Sequence, residues 1–154
     1  MRKFAFQAFA IGLVALSAAQ LVQPTASSKL SPRSPRTDLL QDQNLDPQVR
    51  TILRRACADC HSNQTHLPWY ARVSPVSWLI TRHIEQGRQK LNFSEWPQNS
   101  ANQKQDIADS IDKAQMPLPS YLFLHPQAQL STAEKNAIER WADSSASRVD
   151  VFKQ

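Results

Sequence analysis

Glycine is scarce in this chain, and its scarcity narrows the folds that are open to it. Only Gly12 and Gly87 occur among 154 residues, alongside 10 prolines. Tight hairpins and β-bulges need residues at positive φ, a conformation that glycine adopts most easily. Phosphate-binding loops such as GxGxxG need several glycines at fixed spacing. The sequence therefore disfavours all-β sandwiches and barrels and excludes the usual nucleotide-binding fingerprints.

The first nineteen residues have the layout of an export signal. A short basic stretch at Arg2 and Lys3 precedes an apolar run from Ala8 to Leu16, and small residues at 17–19 offer a cleavage site. The alternative is an uncleaved membrane tether through residues 4–22, although a spanning helix needs about 20 apolar residues. The layout favours cleavage of residues 1–19. Both interpretations place the rest of the chain outside the cytoplasm, in the bacterial periplasm.

Composition divides the remainder of the chain. Residues 20–45 are rich in Gln, Pro, Ser and Thr, which predicts a flexible linker. A folded domain over residues 46–145 and a tail over residues 146–154 follow. The formal net charge of +5 falls to +3 when residues 1–19 are removed, because they carry two basic side chains and no acid. That charge is too small and too scattered to indicate nucleic-acid binding.

Apolar residues recur at helical spacing in four segments of the predicted domain, and no segment alternates as a strand does. Each segment begins with a helix-start signal: Asp46-Pro47, Ser74-Pro75, Ser100 with Gln103, and Ser131 with Glu134. The second segment has the following residues on one predicted inward face: Val76, Leu79, Ile80, His83, Ile84 and Gly87. The sequence predicts an all-α domain with proline-marked connections.

Residues 57–61 have the sequence Cys-Ala-Asp-Cys-His, the CxxCH signature of c-type haem attachment. Two thiols around one helical turn can reach the two vinyl groups of a porphyrin and become thioethers. The adjacent His61 is then the proximal ligand of the iron. Its other ring nitrogen is expected to donate to a backbone carbonyl, for which Pro68 and Pro75 are candidates.

Other chemistries of a CxxC pair fit the sequence less well. A thioredoxin-like dithiol belongs to a βαβ setting, which is not predicted here. A structural zinc site needs four protein ligands, and His66, His83 and His125 are not spaced as a second ligand pair. A simple disulfide remains a third alternative.

The sixth iron ligand is sought among soft or basic side chains far from the motif. Met116 is the first candidate, because it lies in a proline-rich loop between two helices and is the one methionine besides Met1. A thioether ligand opposite histidine raises the reduction potential. His125 and His83 are the alternatives, followed by an open site.

Several segments besides the motif resemble the cytochrome c-like haem-binding domain family of exported bacterial proteins. The segments that carry this resemblance, within residues 47–142, are residues 57–63, 68–70, 75–80, 91–96, 116–121 and 124–126. The resemblance implies a helical domain wrapped around one covalently attached haem c, with His61 proximal and Met116 distal. It also implies that Trp141 on the last helix meets Ile52 or Leu53 on the first.

The aromatic residues divide into two groups by position. Trp69, Tyr70 and Trp96 lie in predicted loops, where they are expected to line the haem pocket or to donate to haem propionates. Trp78 and Trp141 lie in predicted helices, and core packing is expected for them.

Together these features predict a monomeric single-haem electron carrier, not an enzyme, with a redox partner that the sequence does not identify. The alternative is a peroxidase-like or ligand-sensing module with an open distal site. A further alternative is a metal-free or zinc-binding structural module on a membrane tether.

Overall fold

The computed structural model describes residues 2–22, 38–97 and 100–151, and within these ranges the chain is all-α, as predicted. Most of the predicted linker, residues 23–37, lies outside the described residues. The α-helices are α1 Arg2–Leu21, α2 Pro47–Ala56, α3 Ala58–His61, α4 Val76–Lys90, α5 Ala101–Asp112, α6 Pro119–Leu124 and α7 Thr132–Val151. Short 3-10 turns stand between them at Leu39–Gln41, Trp69–Arg72, Phe93–Glu95 and Pro126–Ala128.

Helix α1 differs from the others because its side chains pack on nothing over most of its length. The stretch Lys3–Leu21 has a mean hydropathy of 1.7 and is long and apolar enough to cross a membrane. Its phenylalanines and leucines are exposed. An export signal and a membrane anchor share this character.

The core forms where α7 packs against α5 and α2. Its fully buried side chains include Val49, Ile52, Leu53, Phe93 and Ile138. Trp141 packs against this cluster, which agrees with the predicted contact between the last helix and the first helix of the domain. An ion pair between Arg55 and Glu134 joins α2 to α7 at the surface.

Packing begins earlier in the chain than the sequence indicated. Leu39, Leu40 and Leu45 are 3–4% exposed and belong to the same core cluster. Asp38 accepts a hydrogen bond from the backbone N–H of Leu40 and begins the turn that carries the first two. The predicted linker boundary at residue 45 is therefore wrong, because an isolated leucine pair gives no helical periodicity to detect. At the other end, α7 continues through residues 146–151, which were predicted as a tail.

Two of the four predicted helix starts are confirmed together with their capping hydrogen bonds. The Asp46 carboxylate accepts from the backbone N–H groups of Gln48 and Val49, at 2.7 and 3.1 Å. Ser131 and Glu134 form the reciprocal capping box. The other two helices also begin within one residue of the predicted position, but without the predicted capping hydrogen bonds.

At the start of α5, Ser100 makes no capping hydrogen bond, and the side-chain oxygen of Gln103 is buried without a hydrogen-bond partner. At the start of α4, Pro75 itself occupies the N-cap position, so Ser74 lies one residue too early to cap the helix.

Helix α4 turns only the C-terminal part of the predicted face inward, where Ile84 is buried. Ser77, Thr81 and Ile84 are buried, whereas Val76 and Leu79 are 41% and 56% exposed. This helix packs on α3 and on the turn Trp69–Arg72. The small side chains Ser77 and Thr81 permit that close approach, and the N-terminal part of the apolar stripe consequently faces outward.

Candidate functional site

The CxxCH segment forms a single helical turn at the end of α2. The Cys57 carbonyl caps this turn, because it accepts from the N–H groups of Cys60 and His61 at 3.2 and 3.0 Å. The break at Cys57, with φ −127°, separates α3 from α2. This geometry places both cysteines and His61 on the wall of one cavity.

Helix α4 lies against this turn at Gly87. A Cβ atom at that position would lie 2.9 Å from the Cys60 carbonyl oxygen, closer than real Cβ atoms approach. Glycine is therefore required here for close approach rather than for a special φ. The sequence pattern placed Gly87 on the inward face but did not indicate its partner, which is 27 residues earlier in the chain.

The His61 ring is oriented by the residue that follows α4. Its Nδ1–H donates to the Leu91 carbonyl oxygen at 3.0 Å, so the predicted acceptors Pro68 and Pro75 are wrong. Burial lowers the pKa of His61 below its ordinary value, which favours the neutral imidazole. A neutral ring that donates through Nδ1 has its lone pair on Nε2, the atom available for a metal.

The chain beyond His61 is held by the same region. The Arg88 Nε–H donates to the carbonyl of the fully buried Ser62 at 2.9 Å. The backbone N–H of Asn63 donates to the Ser94 hydroxyl at 3.1 Å. The segment from α4 to Ser94 thus fixes both His61 and the residues after it.

Both thiols are kept protonated by their surroundings. Burial raises the pKa of Cys57 to about 12 and that of Cys60 to about 11. A reactive dithiol needs the thiolate, so these surroundings disfavour that alternative. Moreover, the described residues contain no cluster of three or more His, Cys, Asp or Glu side chains that could hold a metal ion.

Met116 is brought to the same cavity by the end of α5. After Asp112 the chain turns through Ala114, at φ 52°, and the N–H groups of Gln115 and Met116 both donate to the Ser110 carbonyl. Met116 therefore lines the same cavity as the CxxCH residues, together with its neighbours Pro117 and Leu118.

The cavity measures about 900 Å³ and lies between α3, the C-terminal half of α4, α5 and the Met116 segment. Its volume is in the range of about 300–1,000 Å³ usual for cofactor sites. Apolar wall residues include Leu91, Phe93, Ile107, Ile111 and Leu118. A thioether, imidazoles and two thiols on apolar walls form a donor set that suits a porphyrin with its iron.

The sequence profile of a family described as "haem-binding domain" matches residues 14–144. The chain belongs to this haem-binding domain family. It therefore binds haem, and the cavity that contains the CxxCH residues is the candidate haem site. Searches among curated proteins and among solved structures gave no match.

The aromatic residues predicted to line the pocket of this haem-binding domain lie elsewhere. Trp69 is 78% exposed. The Tyr70 hydroxyl forms a hydrogen bond with Nε2 of His125 and does not line the cavity. Trp96 packs between Phe93 and Trp141 in the core. Their loop positions in the sequence could not show which side of the loop each would take.

The two histidines predicted as alternative iron ligands, His83 and His125, differ in their position relative to the cavity. His83 lies on the cavity wall with Met116. His125 does not line the cavity, and both its ring nitrogens are engaged, with the Tyr70 hydroxyl and the Tyr121 carbonyl at 3.0 Å each.

Tyr121 is the aromatic residue that sequence reasoning missed. It lines the cavity, and its hydroxyl donates to the Asp59 carboxylate at 2.9 Å.

Proposed function

We propose that this domain binds one haem c covalently through Cys57 and Cys60 and serves as a single-electron carrier. The observation that supports this most strongly is that Cys57, Cys60, His61 and Met116 line one cavity although the sequence separates the motif from Met116 by two helices. The chain has one CxxCH motif and two cysteines in all, which corresponds to one haem per chain.

His61 and Met116 are the proposed axial ligands. The Leu91 carbonyl holds the His61 ring with Nε2 unprotonated, as a proximal ligand requires. Met116 is positioned by the turn that ends α5, and its thioether is a soft ligand for iron. His83, on the same wall, is the competing ligand.

Haem supplies a one-electron iron couple when it is bound. The protein's own contribution is to hold the ligands and to supply apolar side chains on the inner side of the cavity. Phe93 is 1% exposed and lies 6.0 Å from the His61 ring centroid, and Ile107 and Ile111 are buried on the α5 side. An iron held by two protein ligands has no open position, which favours electron transfer over reaction at the iron, so we propose a carrier with a redox partner rather than an enzyme.

We also propose that the domain works in the periplasm as a monomer. The basic residues Arg2 and Lys3 at the start of α1, and the exposed apolar character of the rest of α1, support export of everything after it.

Absorption spectra of the oxidised and reduced holoprotein test the ligation. The parent is expected to show the weak methionine-to-ferric-iron charge-transfer band, and Met116→Ala is expected to lose it. His83→Ala is the matched control and is expected to retain it. Retention of the band in Met116→Ala, or rapid carbon monoxide binding to the reduced parent, would contradict the proposal and favour an open distal site.

A further inference from the structure

We propose that an exposed apolar surface beside the end of α1 rests on the lipid interface of the membrane into which α1 inserts. This surface, the α4 apolar surface, consists of Trp69, Val73, Val76, Trp78 and Leu79. The inference goes beyond haem binding, because it assigns a second contact with the membrane and an orientation of the domain on it.

The five side chains are unusually exposed for their type. Trp69 is 78% exposed, Leu79 56%, Val73 42%, and Val76 and Trp78 41% each. Val76 and Leu79 are three residues apart on α4 and share one helix face. The turn Trp69–Arg72 packs on α4, so the five side chains belong to adjoining segments, and exposed apolar side chains grouped in this way mark interaction sites.

Hydrogen bonds fasten the end of α1 to this surface. Gln20 donates through Nε2 to the Ser74 carbonyl at 3.2 Å, and its Oε1 accepts from the Ser74 N–H at 3.1 Å. The Trp78 indole N–H donates to the Val22 carbonyl at 2.8 Å. The surface therefore begins where the apolar helix ends.

The length of α1 determines where that end lies. Twenty residues of helix span about 30 Å, the thickness of the hydrocarbon core of a bilayer. When α1 spans the membrane, Gln20 and Val22 lie at the lipid headgroups, and the α4 apolar surface lies there too. Tryptophan is enriched at this depth, where its ring is apolar and its N–H finds a polar partner.

The charges around the surface suit lipid rather than a basic protein. Residues 62–84 contain no Asp or Glu, and Arg72 and Arg82 stand exposed on the same two elements. Arginine side chains at this level attract anionic lipid phosphates. A bilayer is thus the occupant that satisfies the apolar residues, the arginines and the bonds to α1 together.

The consequence concerns the haem site. Helix α4 carries the apolar surface near Val76 and contributes to the cavity from His83 onward. Seven residues of helix correspond to about 10 Å. A domain seated on this surface holds its cavity at a fixed short height above the membrane.

The test uses the full-length holoprotein in nanodiscs of phosphatidylcholine and phosphatidylglycerol, with one protein per disc. Leu79→Cys and, as a control, Ala133→Cys each add one thiol, and the rate of reaction with a water-soluble maleimide is measured. Ala133 is exposed on α7, which packs on α5 and α2. The parent gives the background from Cys57 and Cys60, and Val76→Cys repeats the measurement if Leu79→Cys does not fold.

We expect the Leu79→Cys thiol to react at least tenfold more slowly than the Ala133→Cys thiol. Equal rates would overturn the proposal. So would protection that appears only with two proteins per disc, since a second copy would then cover the surface. Recovery of a mature protein without residues 1–19 would overturn it as well, whatever the haem content.

Discussion

Gly87 and Leu91 shape the site without a reactive side chain. Gly87 leaves room for the Cys60 carbonyl, and Leu91 accepts a hydrogen bond from His61 with its own carbonyl. The motif residues and Met116 could be predicted from the sequence because their chemistry is specific to their residue types. The acceptor of the His61 N–H could not, because any backbone carbonyl serves and only the packing of α4 selects Leu91. The same applies to Gly87, whose role depends on a partner distant in sequence.

Gly87→Ala tests the contact at this scale. At a solvent-exposed helix position this substitution would raise the free energy of unfolding by about 1 kcal/mol, because alanine has the higher helix propensity. Here the added Cβ meets the Cys60 carbonyl, so we expect the free energy of unfolding to fall by about 1–3 kcal/mol, as in overpacked sites. Urea titration measures the change, and Glu85→Ala, at an exposed position of α4, is the control. A stabilised Gly87→Ala would contradict the close approach.

The local sequence pattern predicts where the helices begin better than it predicts how they are capped or which face they bury. Ser131 and Glu134 form their capping box as the sequence indicates, whereas Ser100 and Gln103 have the same spacing and do not. The difference is not local: Gln103 is turned to the cavity wall, where its side-chain oxygen is buried. Likewise, the apolar stripe of α4 is buried at Ile84 as predicted but exposed at Val76 and Leu79, because periodicity does not identify what covers a face.

Asp46→Ala removes two hydrogen bonds to the first turn of α2. We expect a loss of about 1 kcal/mol in the free energy of unfolding, the usual cost of an N-cap. Ser100→Ala occupies the equivalent position of α5 and makes no capping bond, so it should leave stability nearly unchanged. Equal losses in the two variants would show that the caps do not differ as described.

Glu134 gives the start of α7 a dependence on pH. Hydrogen bonds from the Ser131 N–H and hydroxyl, and the charge of Arg55, hold the pKa of Glu134 below its ordinary value of 4.5. Its stabilisation is therefore complete above that value and is lost as the pH falls through the lower pKa of the folded state. Glu134→Gln should be less stable than the parent near neutral pH, and the difference should shrink in urea titrations towards about pH 3. A difference between Glu134→Gln and the parent that stays constant with pH would contradict this role of Glu134.

For the whole molecule, the family match and the core define a domain that includes more than the helices around the motif. Residues 14–144 match the haem-binding domain family, and Leu39, Leu40 and Leu45 belong to the core. The chain before α2 thus contributes to the hydrophobic core, where the turn Leu39–Gln41 packs against α2 and the turn Phe93–Glu95. Composition concealed this, because polar neighbours outnumber the three leucines.

Leu40→Ala tests whether that segment is structural. Leu40 is 4% exposed, so truncation should lower the free energy of unfolding by about 2–4 kcal/mol through lost burial and an internal cavity. Leu124→Ala, at a position 53% exposed, is the control and should change stability little. A negligible effect of Leu40→Ala in urea titration would restore the linker interpretation.

Covalent attachment of haem by the CxxCH motif is the claim on which the account of function depends. The direct measurement is the intact mass of the denatured protein after expression with a haem-attachment system, compared with the Cys57→Ser/Cys60→Ser double variant. We expect the parent mass to exceed the polypeptide mass by one haem and the double variant to show the polypeptide mass alone. A parent at the bare polypeptide mass would contradict the account.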